Sequence, residues 1–429
     1  MITAEYVVPG MRVRDHVVDV PLDWARPDDA PPIPLFSREL TAPEPAAADR
    51  PCLLYLQGGP GGKGPRPLTA DSWLGAALRD FRVVLLDQRG TGRSGRVDGR
   101  AMRRFDTPRD AAGYLAHFRA DAIVADAEHL RRTEFGGQRW ATLGQSYGGF
   151  LTLTYLSRYP EALRCCYVTG GLPGIDPDAA EVYRRTYPRV AAKNAAFRRR
   201  YPRDEPLVAR IADRLAAGDV RLPDGDVLTV RRFQTLGLDF GFGTGFARVH
   251  WLLDEAFDAD GELSEAFLAA VGARTGFVDN PLFAAMQESI YGSGPGTTGW
   301  AARAERDRHP EFAETARPLL FTGEMMYPWM FAEIRALRPF QAAVHELARR
   351  GDWPELYDRD RLAANEVPVA AAVWYDDMFV DAGLQLDTAA RVGNVHTWVT
   401  NEYEHDGLTD SRVFTHLREL LHETGEVRR

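Results

Sequence analysis

Residues 139–150 read RWATLGQSYGGF and decide the fold of this chain. An apolar run at 139–143 leads into the pentapeptide Gly-Gln-Ser-Tyr-Gly, and a helical pattern begins at Phe150. A G-x-S-x-G turn between a strand and a helix places its serine on a sharp bend, with the hydroxyl exposed above a sheet. The glycines let the strand and helix backbones pass closely. This stretch therefore predicts an α/β architecture with Ser146 as a nucleophile.

Short apolar runs recur on both sides of this turn and alternate with helical stretches. The apolar runs lie at 52–56, 82–86, 139–143 and 165–169, and the helical stretches at 111–133 and 150–158. Buried runs that alternate with helices indicate βαβ units in a mostly parallel sheet covered on both faces. Within the first 40 residues, residues 11–20 alternate in polarity and residues 33–40 follow a Pro/Asp-rich turn at 27–32, which predicts a β-hairpin instead.

A helical insertion separates two groups of these strands. Residues 175–365 contain long amphipathic helices rich in Ala and Arg, and the buried-strand pattern resumes at 367–373 and 396–400. We therefore predict an α/β core made of residues 1–173 and 366–429. A helical cap, residues 174–365, is inserted between its strands.

Composition restricts the class of protein further. The chain has 429 residues and a net charge of −9 at pH 7, which argues against a nucleic-acid partner. It has no apolar run of about 18 residues that predicts a membrane span, and residues 1–10 do not resemble a signal peptide. Cys52, Cys165 and Cys166 fit buried free thiols in a reducing compartment better than disulfides or metal ligands. These features predict a cytoplasmic enzyme, and they leave the oligomeric state open.

A nucleophilic serine in this architecture is followed in the chain by an acid and then a histidine. Of the ten histidines, His405 lies in a loop, residues 401–407, after the last predicted strand. A base there can reach the serine at the same edge of the sheet. The preceding strand ends at Asp376 and Asp377, which compete for the role of the acid that faces the imidazole, and Asp377 is favoured.

The loop after the first apolar run, residues 57–64, reads QGGPGGKG. A phosphate-binding loop is excluded, because Gln57 stands where that motif needs Gly and Gly64 where it needs Ser or Thr. Glycines let backbone N–H groups approach a substrate oxygen closely. We therefore expect this loop and the N–H of Tyr147 to form an oxyanion hole.

Three motifs together resemble the proline iminopeptidase (prolyl aminopeptidase) family of α/β-hydrolases, in its larger bacterial branch. They are GGPG at 58–61, DQRGTGRS at 87–94 and GQSYGG at 144–149. The resemblance implies Gly59 and Tyr147 as oxyanion donors, and a structural turn at 87–94 in which Arg89 braces neighbouring loops. The family usually has His where this chain has Gln57, a change that the backbone donors tolerate.

The resemblance extends to the second part of the core. It implies Ser146 as nucleophile, Asp377 as acid and His405 as base. The 28-residue interval from Asp377 to His405 fits the family's spacing and supports Asp377 over Asp376.

Family members remove an N-terminal proline from peptides, so the resemblance implies a serine exopeptidase that acts through an acyl-enzyme and needs no metal or cofactor. Its substrate is a small peptide with a free amine, which a carboxylate near the nucleophile can recognise. Glu288, in MQESIY at 286–291, resembles the family's amine-binding segment, and Glu324, in GEMMYPW at 323–329, lies beside aromatic residues. The alternative is an esterase or amidase with the same triad and a non-peptide substrate.

Overall fold

The computed structural model describes residues 1–176 and 178–425. Its strands are β1 (Ile2–Val8), β2 (Met11–Val20), β3 (Ile33–Thr41), β4 (Cys52–Leu56), β5 (Arg82–Leu86), β6 (Trp140–Gln145), β7 (Leu163–Thr169), β8 (Gly294–Pro295), β9 (Asp352–Trp353), β10 (Val369–Trp374) and β11 (Val395–Thr400). Nine of them form one sheet in the order β1-β2-β3-β5-β4-β6-β7-β10-β11, and β8 pairs with β9.

The α-helices lie before, between and after these strands. They are α1 (Ser72–Ala77), α2 (Gly99–Met102), α3 (Pro108–Leu115), α4 (Ala120–Glu134), α5 (Tyr147–Arg158), α6 (Ala179–Arg200), α7 (Asp204–Leu215), α8 (Val230–Gln234), α9 (Gly245–Asp254), α10 (Glu265–Thr275), α11 (Pro281–Met286), α12 (Ala301–Arg306), α13 (Met330–Glu333), α14 (Gln341–Arg349), α15 (Arg359–Ala363), α16 (Ala382–Arg391) and α17 (Ser411–Glu423).

The sheet is mostly parallel. Strands β5, β4, β6, β7, β10 and β11 run parallel to one another, and β1, β2 and β3 form an antiparallel edge that joins through β3 and β5. This arrangement confirms the predicted fold class. The predicted N-terminal hairpin is β2 and β3, to which the structure adds β1, a strand with mostly exposed side chains.

Both faces of the central strands are buried. In β4, Leu53 and Tyr55 pack in one hydrophobic cluster, whereas Leu54 and Leu56 pack in another on the opposite face. Successive residues of a strand point to opposite faces, so a strand covered on both sides must be apolar at every position. This explains the unbroken apolar run at 52–56.

The helical insertion interrupts the chain but not the sheet. Val369 of β10 pairs with Cys166 of β7, although helices α6 to α15 lie between them in sequence. One hydrophobic cluster joins cap residues with Met102, Leu115 and Phe118, which precede the insertion. The division into core and cap thus remains a prediction, and the two parts share a continuous packing surface.

The continuous helix predicted at 111–133 is wrong in its middle. Helix α3 ends at Leu115 and α4 begins at Ala120, because Arg119 has an extended backbone with φ −98° and ψ 175°. The buried Arg119 guanidinium lies 4.5 Å from the ring centroid of Trp353 and donates to the carbonyl of Gly292. These contacts with a distant segment hold the break in place.

The three cysteines are buried free thiols. Burial raises the pKa of Cys52 to about 11, which leaves it without nucleophilic character near neutral pH. Within residues 1–176 and 178–425, every helix is too short or too polar to cross a membrane.

Candidate active site

Ser146 lies on the turn between β6 and α5, with φ 55° and ψ −123°. A positive φ is unfavourable for a residue with a side chain, so the surrounding structure must hold this turn. A Cβ on Gly148 would lie 1.9 Å from the carbonyl oxygen of Leu56, and one on Gly144 would lie 2.3 Å from that of Gly148. Glycine at both positions therefore allows the close crossing of strand and helix that presents Ser146.

The predicted oxyanion loop lies against this turn. A Cβ on Gly58 would lie 3.1 Å from the Cβ of Ser146, and Gly59 adopts φ 141°, a conformation that favours glycine. Tyr147 is the first residue of α5, so its N–H has no acceptor within the helix, and the helix N-terminus favours negative charge. The structure thus places the loop that carries Gly59 against the Ser146 turn, with Tyr147 directly after the serine.

Asp377 and His405 form a buried pair. The Nδ1 atom of His405 lies 2.7 Å from Oδ2 of Asp377. The other carboxylate oxygen of Asp377 accepts hydrogen bonds from the N–H groups of Phe379 at 2.8 Å and Val380 at 3.2 Å. Asp376 is exposed. Of the two competing aspartates, the structure places Asp377 against His405.

The surroundings of His405 favour its protonated form. Burial lowers the pKa of the imidazole, but the charge and hydrogen bond of Asp377, followed by the charges of Glu324 and Asp406, outweigh it. The pKa of His405 therefore lies above its ordinary value of 6.5. The imidazole and the ring of Phe379 are nearly perpendicular, with the two centroids 4.8 Å apart. A base with a raised pKa is suited to receive the proton of a serine hydroxyl.

Glu288 is a buried carboxylate, and one of its two oxygens accepts a hydrogen bond. Its Oε1 accepts a hydrogen bond from the N–H of Ala302 at 3.0 Å, whereas Oε2 has no partner among the described residues. Burial raises the pKa of Glu288 to about 7, although backbone N–H groups of α12 and the Thr298 hydroxyl act in the opposite direction. An unpartnered buried carboxylate oxygen is available to a cationic ligand.

Glu324 is electrostatically coupled to the triad candidates. Burial raises its pKa to about 7, while the His405 charge lowers it and the Asp377 charge raises it. Burial raises the pKa of the phenols of Tyr183 and Tyr291, and the charges of Glu288 and Glu324 add to this effect. The two glutamates therefore act on the same two phenols, and Glu324 acts on His405 as well.

Sequence reasoning missed two groups in this region. Tyr183 is buried, and its hydroxyl has no partner within the described part of the chain. The same holds for both amide atoms of Gln287. Adjacency to Glu288 was the available signal for Gln287, whereas Tyr183 sits in an ordinary helical pattern on α6. In residues 1–176 and 178–425, no three His, Cys, Asp or Glu side chains are grouped to hold a metal ion.

Comparison with known proteins adds an independent observation. Residues 51–211 match a family model described as alpha/beta hydrolase fold. A proline iminopeptidase from Aeromonas sobria is 45% identical over 404 residues, which cover 94% of this chain and 94% of that protein. The chain belongs to the proline iminopeptidase family of α/β-hydrolases.

A second relative belongs to the same family. The proline iminopeptidase aneH from Aspergillus aculeatus is 32% identical over 417 residues, 93% of this chain and 91% of that protein. A hydrolase of 2-hydroxy-6-oxo-6-phenylhexa-2,4-dienoate from Rhodococcus sp. strain RHA1 is a distant structural neighbour, with TM-score 0.44 and 14% identity over 96% of this chain and 99% of that one. Membership in the proline iminopeptidase family confirms the resemblance seen in the motifs and the classification of the chain as a hydrolase.

Proposed function

We propose that this chain is a serine exopeptidase that releases an N-terminal proline from small peptides. The observation that carries the proposal is the buried pair of Asp377 and His405, whose Oδ2 and Nδ1 atoms lie 2.7 Å apart and whose charges act on Glu324. A carboxylate close to a base and its acid can hold a free amine next to a scissile bond, and Glu288, with one unpartnered oxygen, supplies a second carboxylate. The named activity of the Aeromonas sobria and Aspergillus aculeatus relatives supports the same substrate class.

In the first half of the reaction, the Ser146 hydroxyl attacks the scissile carbonyl while Nε2 of His405 accepts its proton. Asp377 holds Nδ1–H and stabilises the imidazolium. The oxyanion accepts hydrogen bonds from the N–H groups of Gly59 and Tyr147, each contributing about 3 kcal/mol. The C–N bond then breaks as His405 gives its proton to the leaving amine, and the prolyl group remains bound to Ser146 as an ester.

In the second half, His405 removes a proton from water, and the water oxygen attacks the ester carbonyl. The same two N–H groups stabilise the second oxyanion. Collapse breaks the bond to Ser146, whose oxygen takes back the proton from His405. Free proline leaves and the enzyme is restored.

Recognition of the amine distinguishes an exopeptidase from a general acyl hydrolase. The cationic amine of an N-terminal residue can donate to Oε2 of Glu288 and to Glu324. Such charge-assisted hydrogen bonds are strong in a buried site. A residue inside a longer chain has an uncharged amide at this place and would leave both carboxylates without a cation. We therefore also propose that the cap, residues 174–365, restricts the core, residues 1–173 and 366–429, to chain ends.

The test compares a prolyl amide with a simple ester that has no amine. We expect Glu288→Gln and Glu324→Gln each to lower kcat/KM for proline p-nitroanilide by about 100-fold, because each removes a charged partner from a buried site. Hydrolysis of p-nitrophenyl acetate should remain within about threefold, since an ester without an amine does not use these groups. Glu265→Gln, at an exposed position of the cap, is the matched control. Equal losses on both substrates, or no loss, would support the esterase or amidase alternative instead.

A further inference from the structure

Three successive residues of the loop that carries His405 contact the cap. Both carboxylate oxygens of Glu404 lie within hydrogen-bond distance of Nζ of Lys193, at 2.5 and 2.6 Å. The N–H of His405 donates to the carbonyl of Gly241 at 2.9 Å. Oδ1 of Asp406 accepts from the N–H of Gly243 at 2.8 Å. The cap therefore holds the loop at His405 and on both sides of it.

Lys193 is a buried cation in this contact. It lies on α6 with 8% of its surface exposed, and it is one of two lysines in a chain whose other 50 basic residues are arginines. A buried ammonium is unfavourable unless it is paired, and the two oxygens of Glu404 supply the pair. Such a pair contributes little net stability, but it ties Glu404 to α6 at a defined place.

Helix α6 also reaches the other end of the site. Tyr183, whose pKa is raised by burial and by the charges of Glu288 and Glu324, lies ten residues before Lys193 on the same helix. Ten helical residues span about 15 Å. Helix α6, which continues through Pro188, thus connects the region that we assign to the substrate amine with the loop that carries the base.

We propose that the Lys193–Glu404 ion pair positions the general base, by locking the 404–406 loop to α6 so that the His405 imidazole keeps its orientation toward Ser146. This inference rests on the role proposed above for His405. Lys193 touches no reacting atom and is a positioning residue. The pair fixes the base relative to the amine site, since both are attached to α6.

The charges around the pair give this inference an electrostatic signature. The charges that act on His405 are those of Asp377 after β10, Glu324 of the cap and Asp406 of its own loop. The charges that act on Glu404 are those of Lys193, Asp377 and Asp376. Loss of Lys193 leaves Glu404 without its cation, and at the pH values where this carboxylate stays ionised its charge stabilises the imidazolium and moves the acidic limb of kcat to higher pH. Loss of the Glu404 charge leaves an ammonium near His405 and moves that limb to lower pH. If the ion pair only held the loop in place, loss of Lys193 and loss of the Glu404 charge would not shift the acidic limb in opposite directions.

The experiment compares Lys193→Met with Glu404→Gln on proline p-nitroanilide. We expect kcat to fall about tenfold or more in both variants, because small displacements of a base are costly, with KM within about threefold. The acidic limbs should shift in opposite directions by about 0.3 pH units or more. The rate at which a serine-directed phosphonate labels Ser146 should fall by the same factor as kcat.

Matched controls separate the ion pair from general charge effects. Arg184→Met removes a cation from the exposed face of α6, and Glu402→Gln removes an exposed anion from the His405 loop. Both should keep kcat within about threefold and leave the limb unmoved. If Lys193→Met does not fold, Lys193→Met/Glu404→Leu removes both charges. That double variant should restore the limb to its wild-type position while kcat stays low.

Two results would overturn the inference: kcat within about threefold of wild type in both single variants, or limbs that do not move apart. Failure of the proposed function gives a different pattern. If wild type reacts with the phosphonate but does not cleave the prolyl amide, the substrate assignment fails, and labelling rates still decide the role of the pair. If wild type does not react with the phosphonate, the role of His405 and this inference fail together.

Discussion

At the scale of single residues, the orientation of one carboxylate distinguishes two adjacent acids. Asp377 is held on both oxygens, one by His405 and one by the N–H groups of Phe379 and Val380. Rotation of its side chain would break both sets of bonds. Asp376 follows the same strand but is exposed. The same substitution is therefore expected to have very different consequences at these two neighbouring positions.

Replacing Asp377 by Asn should lower kcat for proline p-nitroanilide by about 10³- to 10⁴-fold, because an amide cannot hold the productive histidine tautomer or stabilise the imidazolium. Asp376→Asn is the matched control and should change kcat by less than about threefold. Steady-state kinetics on both purified variants checks this. A larger loss at Asp376 than at Asp377 would contradict the assignment.

The raised pKa values predict two different pH dependences. His405 must be neutral to accept a proton, so kcat should fall as the pH drops through its pKa, which lies above 6.5, for amide and ester substrates alike. Glu288 and Glu324 have pKa values raised to about 7 and bind a cation only when ionised. The KM of proline p-nitroanilide should therefore rise as the pH falls below about 7, whereas the KM of p-nitrophenyl acetate should not. Measurement of both constants from pH 5.5 to 8 checks this, and parallel changes in the two KM values would contradict it.

At the scale of secondary-structure elements, the backbones of α5 and β4 approach each other closely at the site. Helix α5 crosses the end of β4 so closely that Gly148 leaves no room for a methyl group beside the Leu56 carbonyl. In contrast, a Cβ on Gly113 of α3 would meet nothing within 4 Å. Replacement of each glycine by alanine thus compares the same substitution at a buried and at an exposed position.

Gly148→Ala should lower the free energy of unfolding by about 3 kcal/mol or more, because the added carbon overlaps a backbone oxygen that cannot move aside. Gly113→Ala should instead raise it by about 0.5–1 kcal/mol, since alanine is the better helix former at an exposed position. Urea denaturation of both variants measures this. Equal effects would show that the crossing of α5 and β4 is looser than described.

The same elements show what the sequence predicts and what it does not. Strands β4 and β5 have the predicted bounds, because burial on both faces makes β4 apolar throughout and β5 apolar after Arg82. Strand β1 was not predicted, since its side chains are mostly exposed and polar ones interrupt the apolar pattern. The break between α3 and α4 has neither Pro nor Gly to mark it, because contacts of Arg119 with Gly292 and Trp353 produce it.

The candidate site divides in the same way. Ser146 and His405 were predicted because each follows a recognisable strand, and parallel strands end at one edge of a sheet. Tyr183 and Lys193 were not predicted as parts of the site, since their partners lie far away in the chain. Lys193 and Glu404, for example, are 211 residues apart. No local pattern records a contact over that distance.

At the scale of the whole molecule, one buried ion pair connects three parts of the core. The guanidinium of Arg89 binds both carboxylate oxygens of Asp126 on α4, and it also donates to the carbonyls of Leu22 and His117. Arg89 and Asp126 are both fully buried. The motif at 87–94 thus braces loops around the sheet, as its resemblance to the family implied.

Arg89→Met should lower the free energy of unfolding by about 3–5 kcal/mol, because it leaves the Asp126 carboxylate buried without a cation. Arg412→Met, which breaks an exposed pair with Asp410, is the control and should leave the unfolding midpoint nearly unchanged. Urea denaturation followed by tryptophan fluorescence measures both. A small effect of Arg89→Met would show that the loops hold their places without the pair.

The central claim is that Ser146 and the cap together form an enzyme that recognises a free amine. One comparison of kcat/KM tests it most directly. The substrates are proline p-nitroanilide and its N-acetylated form, and the proteins are wild type and Ser146→Ala. We predict that wild type prefers the free amine by about 1,000-fold or more, and that Ser146→Ala abolishes turnover of both. Equal rates on the two amides, or turnover that survives in Ser146→Ala, would contradict the account.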